Sequence, residues 1–163
     1  MSDIRTEAPA PEPEREAPSP AARLARFYET LTPASLASLG EFYAADARFK
    51  DPFNDVHGVP AIAQIFAHMF AALEQPRFVV TEQLAQHEQA LLCWDFHFRM
   101  RRWRPRADHC IHGATLVRFD TQGRVIDHRD YWDAAELYEK FPLLGRLMRN
   151  LRKAVSVSKS IEG

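Results

Sequence analysis

Cysteine is scarce: Cys93 and Cys110 stand alone in 163 residues, with no Cys-x-x-C spacing. Neither a disulfide framework nor a zinc module is indicated by that pattern. Glycine is scarce too, with six residues. Neither a Gly-x-Ser-x-Gly elbow nor a glycine-rich phosphate loop occurs, so a serine nucleophile and a nucleotide cofactor lack their usual seats. Charge of one sign is also missing. Twenty-one basic residues against 22 acidic ones leave a formal net charge of −1, which argues against a protein that tracks nucleic-acid phosphates. No apolar run approaches the ~20 residues of a transmembrane helix, and the N-terminus lacks a basic-then-apolar signal pattern. A cytoplasmic protein with no transmembrane segment is the expectation.

Apolar residues make up 46% of the chain, enough for one domain with a real core but too few residues for two. Residues 1–20 hold five prolines and almost no large apolar side chain, which predicts a disordered tail. From 21 to 154 the pattern is that of a single domain, and 155–163 reads as a flexible tail. Leu24, Phe27, Tyr28 and Leu31 fall at helical spacing. Thr32-Pro33 then opens a second helix carrying Leu36, Leu39, Phe42 and Tyr43. A short strand is expected over 47–51, and Gly58-Val59-Pro60 opens a third helix with Ile62, Ile65, Phe66, Met69, Phe70 and Leu73 on its apolar face, ending at Pro76. Strand-like runs follow at about 77–86, 89–103, 107–119 and 124–133, joined too tightly for anything but antiparallel neighbours. Helical pieces at 134–141 and 143–154 close the domain. The result is α+β: one curved antiparallel sheet with helices over one face, enclosing a core or, where they do not meet at one end, a pocket.

The last strand-like run carries most of the chemistry. In Val125-Ile126-Asp127-His128-Arg129-Asp130-Tyr131-Trp132-Asp133, alternation puts Ile126, His128, Asp130 and Trp132 on one face. An imidazole and a carboxylate facing an apolar cavity make an acid/base site; facing water, they decorate a surface. On the run at 89–103, Trp94, Phe96, Phe98 and Met100 share one face and Asp95, His97, Arg99 and Arg101 the other, where cross-strand ion pairs or a dimer contact account for them. His109 and His112 lie three apart on a strand and so face opposite ways, which denies both imidazoles to one ion. The basic run Arg101 to Arg106 reads as a solvated turn. The helix at 143–154 opposes Leu143, Leu144, Leu147, Met148 and Leu151 to Arg146, Arg149, Arg152 and Lys153; such a stripe suits a membrane surface, but it is expected to cover the sheet edge or pocket mouth of its own domain.

The order of these elements resembles the nuclear transport factor 2-like superfamily, and within it SnoaL-like and ketosteroid isomerase-like members. The resemblance spans roughly 22–135. It is carried by Phe49-Lys50-Asp51-Pro52-Phe53, Gly58 to Ile62, Arg118-Phe119-Asp120 through Gly123, and His128 to Asp133. It implies a cone-shaped α+β fold, a curved antiparallel (mixed) sheet wrapped around N-terminal helices and enclosing a pocket, that binds an apolar small molecule and pairs as a homodimer through the outer sheet face; no cofactor and no metal is expected. It implies Asp51 as the Asp-Pro base of the ketosteroid isomerases and Asp130 as the acid/base group of the SnoaL-like cyclases, with His128 as partner. Phe27, Tyr28, Phe53, Phe66, Trp94, Phe96, Phe98, Thr115 and Trp132 would contact the ligand. Departures matter as well. Phe27 falls where isomerases keep a tyrosine donor, with Tyr28 one residue on. Gly113 and Thr115 replace the Arg-x-Asp of limonene epoxide hydrolases, against that activity. Asp51 has a second reading, as the cap of its own turn through Asn54 or backbone N–H groups. Two functions stay open: an isomerase, cyclase or dehydratase working by Asp/His proton transfer on a carbonyl compound, or a non-catalytic ligand carrier or interaction domain.

Overall fold

The computed structural model describes residues 17–101 and 107–140, together with Gly145, Arg146, Met148 and Asn150. Residues 1–16 of the expected tail, the basic turn at 102–106, and most of 143–163 lie outside the described residues. Helix α1 (Pro20–Glu29) starts where Ser19 accepts the Ala22 N–H, with proline at the first helical position. Its buried side, including Leu24, Phe27 and Tyr28, follows the 3.6-residue period. Thr32 and Ser35 exchange reciprocal N–H···Oγ bonds of 3.2 and 2.9 Å. The second helix expected there divides into a 3-10 turn (Ala34–Ser38) and a one-turn α2 (Leu39–Phe42).

Tyr43 is not the last residue of that helix. It begins β1 (Tyr43–Lys50), four residues before the expected strand. A three-residue β2 (Asp55–His57), too short to show a period, pairs back on β1. Helix α3 (Val59–Ala72) follows Gly58, whose φ of 88° suits glycine. The chain then turns directly into β3 (Leu73–Gln86), so Leu73 is a strand residue. Pro76 falls in a register shift between Glu74 and Arg77, where the ladder needs no N–H from it. Strands β4 (Gln89–Met100), β5 (Asp108–Phe119) and β6 (Val125–Trp132) complete the sheet, and α4 (Ala134–Glu139) follows.

The sheet is mixed, curved and unclosed, in the order β2-β1-β6-β5-β4-β3. Every pairing is antiparallel except that of β1 with β6. That parallel pair needs the long route through α3 and four strands between its members. One apolar cluster joins α1, α2, β1 and α3 to the inner sheet face around Leu24, Leu39, Tyr43, Phe49 and Ile62. A smaller one, of Phe98, Met100 and Ile111 with Phe96, Trp132 and Leu137, lies under α4. On β6 the inner face begins at Val125, fully buried, while Ile126 is exposed. A bulge opposite Arg118 and Phe119 moves the register there by one residue, which corrects the expected placement of Ile126.

Gly113 sits on the inner face between Trp94 of β4 and Trp132 of β6. A Cβ built on it would fall inside the Trp94 indole. The Trp94 indole thus lies across β5 because the residue there has no side chain. Gly113→Ala is expected to cost about 1–3 kcal/mol through this overlap, read as a lower urea midpoint with a shift in tryptophan fluorescence. An unchanged midpoint would show that Trp94 can move aside freely.

Candidate functional site

Five elements converge on one buried hydrogen-bonded chain. The Trp94 indole N–H donates to Thr115 Oγ1 at 2.8 Å, and the Thr115 hydroxyl, its one proton still available, donates to Asp130 Oδ1 at 2.5 Å. His128 Nε2 lies 2.9 Å from the same carboxylate oxygen. On the far side of the imidazole, Nδ1 meets the hydroxyls of Tyr43 at 3.0 Å and Tyr28 at 3.2 Å, and these hydroxyls also bond to each other. Phe49 stacks on the His128 ring at 4.3 Å with 17° between the planes. His128 is 1% exposed and Thr115 3%. In such surroundings an unmatched polar group costs several kcal/mol, and among the described residues no buried side-chain nitrogen or oxygen lacks a partner.

The proton count assigns the hydrogens. Burial, above all, raises the Tyr28 phenol well above its ordinary pKa, with Tyr43 and the Asp130 charge adding to it. Burial likewise raises that of Tyr43, although its bond to Tyr28 pulls the other way. Both phenols therefore keep their protons. One donates to the other, which donates to His128 Nδ1, so the imidazole hydrogen lies on Nε2 and points at Asp130. A second imidazole proton would leave one phenol proton without an acceptor.

The structure brings His128 and Asp130 together, as strand alternation predicts, and adds Tyr43, which sequence reasoning assigned to a helix. The missed signal was weak: Tyr43-Ala44-Ala45-Asp46-Ala47 is alanine-rich, and alanine favours helix. Tyr28 points into the site, whereas Phe27 stacks on Phe42 at 4.2 Å. Tyr28, Phe66, Trp94, Thr115, His128 and Asp130 all line an internal cavity of about 20 Å³, room for one water-sized group. Phe96 and Phe98 stack on each other at 5.1 Å, nearer α4.

Asp130 has a second exposure. It also forms part of an open hollow of about 510 Å³ with Lys50, Asp51, Phe53, Arg129 and Trp132. Phe53 is half exposed there and meets Trp132 edge-on at 5.3 Å, with Tyr138 of α4 beside it. No described residue hydrogen-bonds Asp130 Oδ2, and the Asp130 side chain is 16% exposed. Asp51 lies on the same hollow with both oxygens engaged. Oδ1 accepts from the Phe53 and Asn54 N–H groups at 2.7 and 2.6 Å, and the Asn54 amide reaches Oδ1 at 3.0 and Oδ2 at 2.9 Å. His112 points outward to Asp95 and lies away from the cavity.

The profile of the SnoaL-like domain matches residues 24–128, and the chain belongs to that family. No curated protein matches it in sequence. Among solved structures it is similar to an NTF2-like protein from Burkholderia pseudomallei (18% identity, TM-score 0.65, 76% of this chain and 98% of that one). It is similar also to a candidate SnoaL-like polyketide cyclase from Shewanella putrefaciens (19%, 0.64, 77% and 97%). A third is an LEH-like epoxide hydrolase from Mycobacterium tuberculosis (14%, 0.61, 83% and 96%). At these identities the likeness establishes the fold. The last of them fits the sheet without its chemistry being implied, since Gly113 lies under Trp94 here. Among the described residues no helix is long and apolar enough to cross a membrane.

Raised phenol pKa values carry a sign. The unfolded chain releases the Tyr28 and Tyr43 protons near pH 10 while the folded one holds them, so stability is complete below about pH 10 and falls above it. Each tyrosine contributes a slope of up to about 1.4 kcal/mol per pH unit. Urea unfolding between pH 8 and 11.5 should show this decline, and Tyr43→Phe should halve its steepness. A pH-independent midpoint would show that the phenols ionise in the folded protein.

Proposed function

We propose that this SnoaL-like domain binds a small, largely apolar carbonyl compound and moves a proton on it without a cofactor, as an isomerase, cyclase or dehydratase does. One observation carries the reading: a carboxylate held on one oxygen by Thr115 and His128, with no described hydrogen bond on the other, in a residue that lines a hollow together with Phe53 and Trp132. Asp130 Oδ2 takes the proton next to the substrate carbonyl and returns it to another position. Oδ1 accepts from Thr115 and His128 in both states, so no partner has to move as the charge comes and goes. Holding a base still in this way lowers the reorganisation that the reaction needs. His128 is a positioning residue, set in turn by Tyr28 and Tyr43. Asp51 has the geometry of a turn former: three donor contacts fall on Oδ1 and one on Oδ2, all from the turn it closes, and it shapes the hollow without abstracting protons.

The outer sheet face supports pairing with a second copy. Leu84, Leu91 and Leu116 form a straight row across β3, β4 and β5, with Cys93, Ala114 and Tyr131 in the next. Leu84 is 65% exposed and Leu116 37%. An apolar row across three strands, rimmed by Arg118, Asp127 and Arg129, fits the core and rim of a homodimer contact.

Against a panel of enolisable ketones, Asp130→Asn should lower turnover by about 10²–10⁴-fold while leaving ligand affinity within a few-fold. Asp51→Asn should chiefly lower stability. A chain that binds these ketones yet turns over none is a carrier, and the catalytic reading then fails. For the dimer, sedimentation velocity of Leu116→Arg should show a shift toward monomer at micromolar concentration. An unaltered chain that is already monomeric at hundreds of micromolar would exclude the pairing.

A further inference from the structure

The outer face carries a second polar cluster, beside the leucine row and away from Asp130. In the β4–β5 ladder His97 stands directly opposite Cys110, and Asp95 directly opposite His112. All four side chains leave the sheet on the same side, because alternate residues of a strand share a face. One ligand atom each from Asp95, His97 and Cys110 lies within 4.8 Å of the other two. His112 Nδ1 is 2.6 Å from Asp95 Oδ1. We propose that these residues bind one divalent transition-metal ion, zinc foremost, with Asp95, His97 and Cys110 as ligands and His112 steadying the Asp95 carboxylate from outside.

The donor set selects the class of ion. Oxygen, nitrogen and sulfur together suit a borderline-soft cation, whereas calcium and magnesium require oxygen throughout. Tetrahedral zinc brings its ligand atoms to about 3.3–3.7 Å from one another, so the three must close by at most about 1.5 Å, within reach of side-chain rotation on a half-buried face. Charge balances: one carboxylate and one thiolate neutralise the ion, and the Cys110 thiol releases its proton to the buffer as the metal–sulfur bond forms. Without the ion, burial and the nearby Asp95 raise the Cys110 pKa; a bound cation reverses that. Of the neighbouring cations, Arg99 is held by Asp108 at 2.6 Å, Arg77 faces His97 from β3, and the effect of Lys140 on Cys110 is opposed by Glu136. The fourth coordination position falls to water. Reading along one strand, as with His109 and His112, misses such a site, since its ligands come from two strands in register.

The test uses the full chain, stripped of metal and titrated with Co²⁺, then with Zn²⁺ in competition. One cobalt per chain is expected, with visible bands of tetrahedral type and a thiolate-to-cobalt charge-transfer band in the near ultraviolet. Cys110→Ser should abolish the charge-transfer band and Cys93→Ser, on the same face, should keep it. His97→Ala should weaken binding more than tenfold, and His112→Ala by about 10–100-fold. Circular dichroism checks that each variant is folded. No charge-transfer band in the unaltered chain, a band that survives Cys110→Ser, or a band lost in Cys93→Ser alone would overturn the assignment. Equal affinity in all variants would identify adventitious surface binding and overturn it too.

Discussion

The two hydrogen bonds that end on Asp130 Oδ1 set the constraint to which the interior answers. A carboxylate between an apolar core and an apolar cluster under α4 is costly unless donors meet it. Thr115 and His128 meet it, but each is a polar group buried in turn. Thr115 has to receive from Trp94, and His128 Nδ1 has to receive from a phenol. The demand thus passes outward from β6 to β5, β4, β1 and α1, and stops only where Tyr28 and Tyr43 satisfy each other. Removing a terminal donor leaves its neighbour short of a partner, so these residues act as a unit rather than as independent contacts.

Sheet order makes that unit possible. β6 lies between β1 and β5, so His128 has β1 on one side, supplying Tyr43 and Phe49, while Asp130 has Thr115 directly opposite on β5. Trp94 then reaches Thr115 across Gly113, where a side chain would block it. The parallel β1–β6 pair has a functional consequence: it carries the C-terminal end of β1, with Asp51 and Phe53 beyond it, to the same end of the sheet as Asp130 and Trp132. The hollow forms where β1 stops and β6 continues.

Much of this was legible from period and family resemblance together. Strand alternation puts His128 with Asp130, and Trp94 with Phe96 and Phe98, on shared faces, with Asp95, His97 and Arg99 on the opposite one; the resemblance turns the first sets inward. Helical spacing finds α1 and α3. What alternation misses depends on pairing between distant segments. Tyr43 is a strand residue because β6 offers it a ladder; locally, its alanine-rich sequence prefers a helix. Ile126 leaves the inner face because of a bulge set by β5. β2 is three residues long and exists only against β1. The outer cluster of Asp95, His97, Cys110 and His112 is a matter of register, which no single strand records.

Two aspartates border the hollow, and hydrogen bonding separates them better than position in the chain does. A general base must offer a lone pair that nothing else occupies at the moment of proton transfer. Asp51 gives its oxygens to two backbone N–H groups and to the Asn54 amide, all from the turn it closes, so both oxygens are engaged in holding that turn. Asp130 takes both of its donors on one oxygen and presents the other. On the proposed reading the Asp-Pro pair keeps the shape of the mouth and the proton transfer falls to the last strand, because the Asp51 donors all belong to the turn it closes, whereas Asp130 Oδ2 has no donor among the described residues.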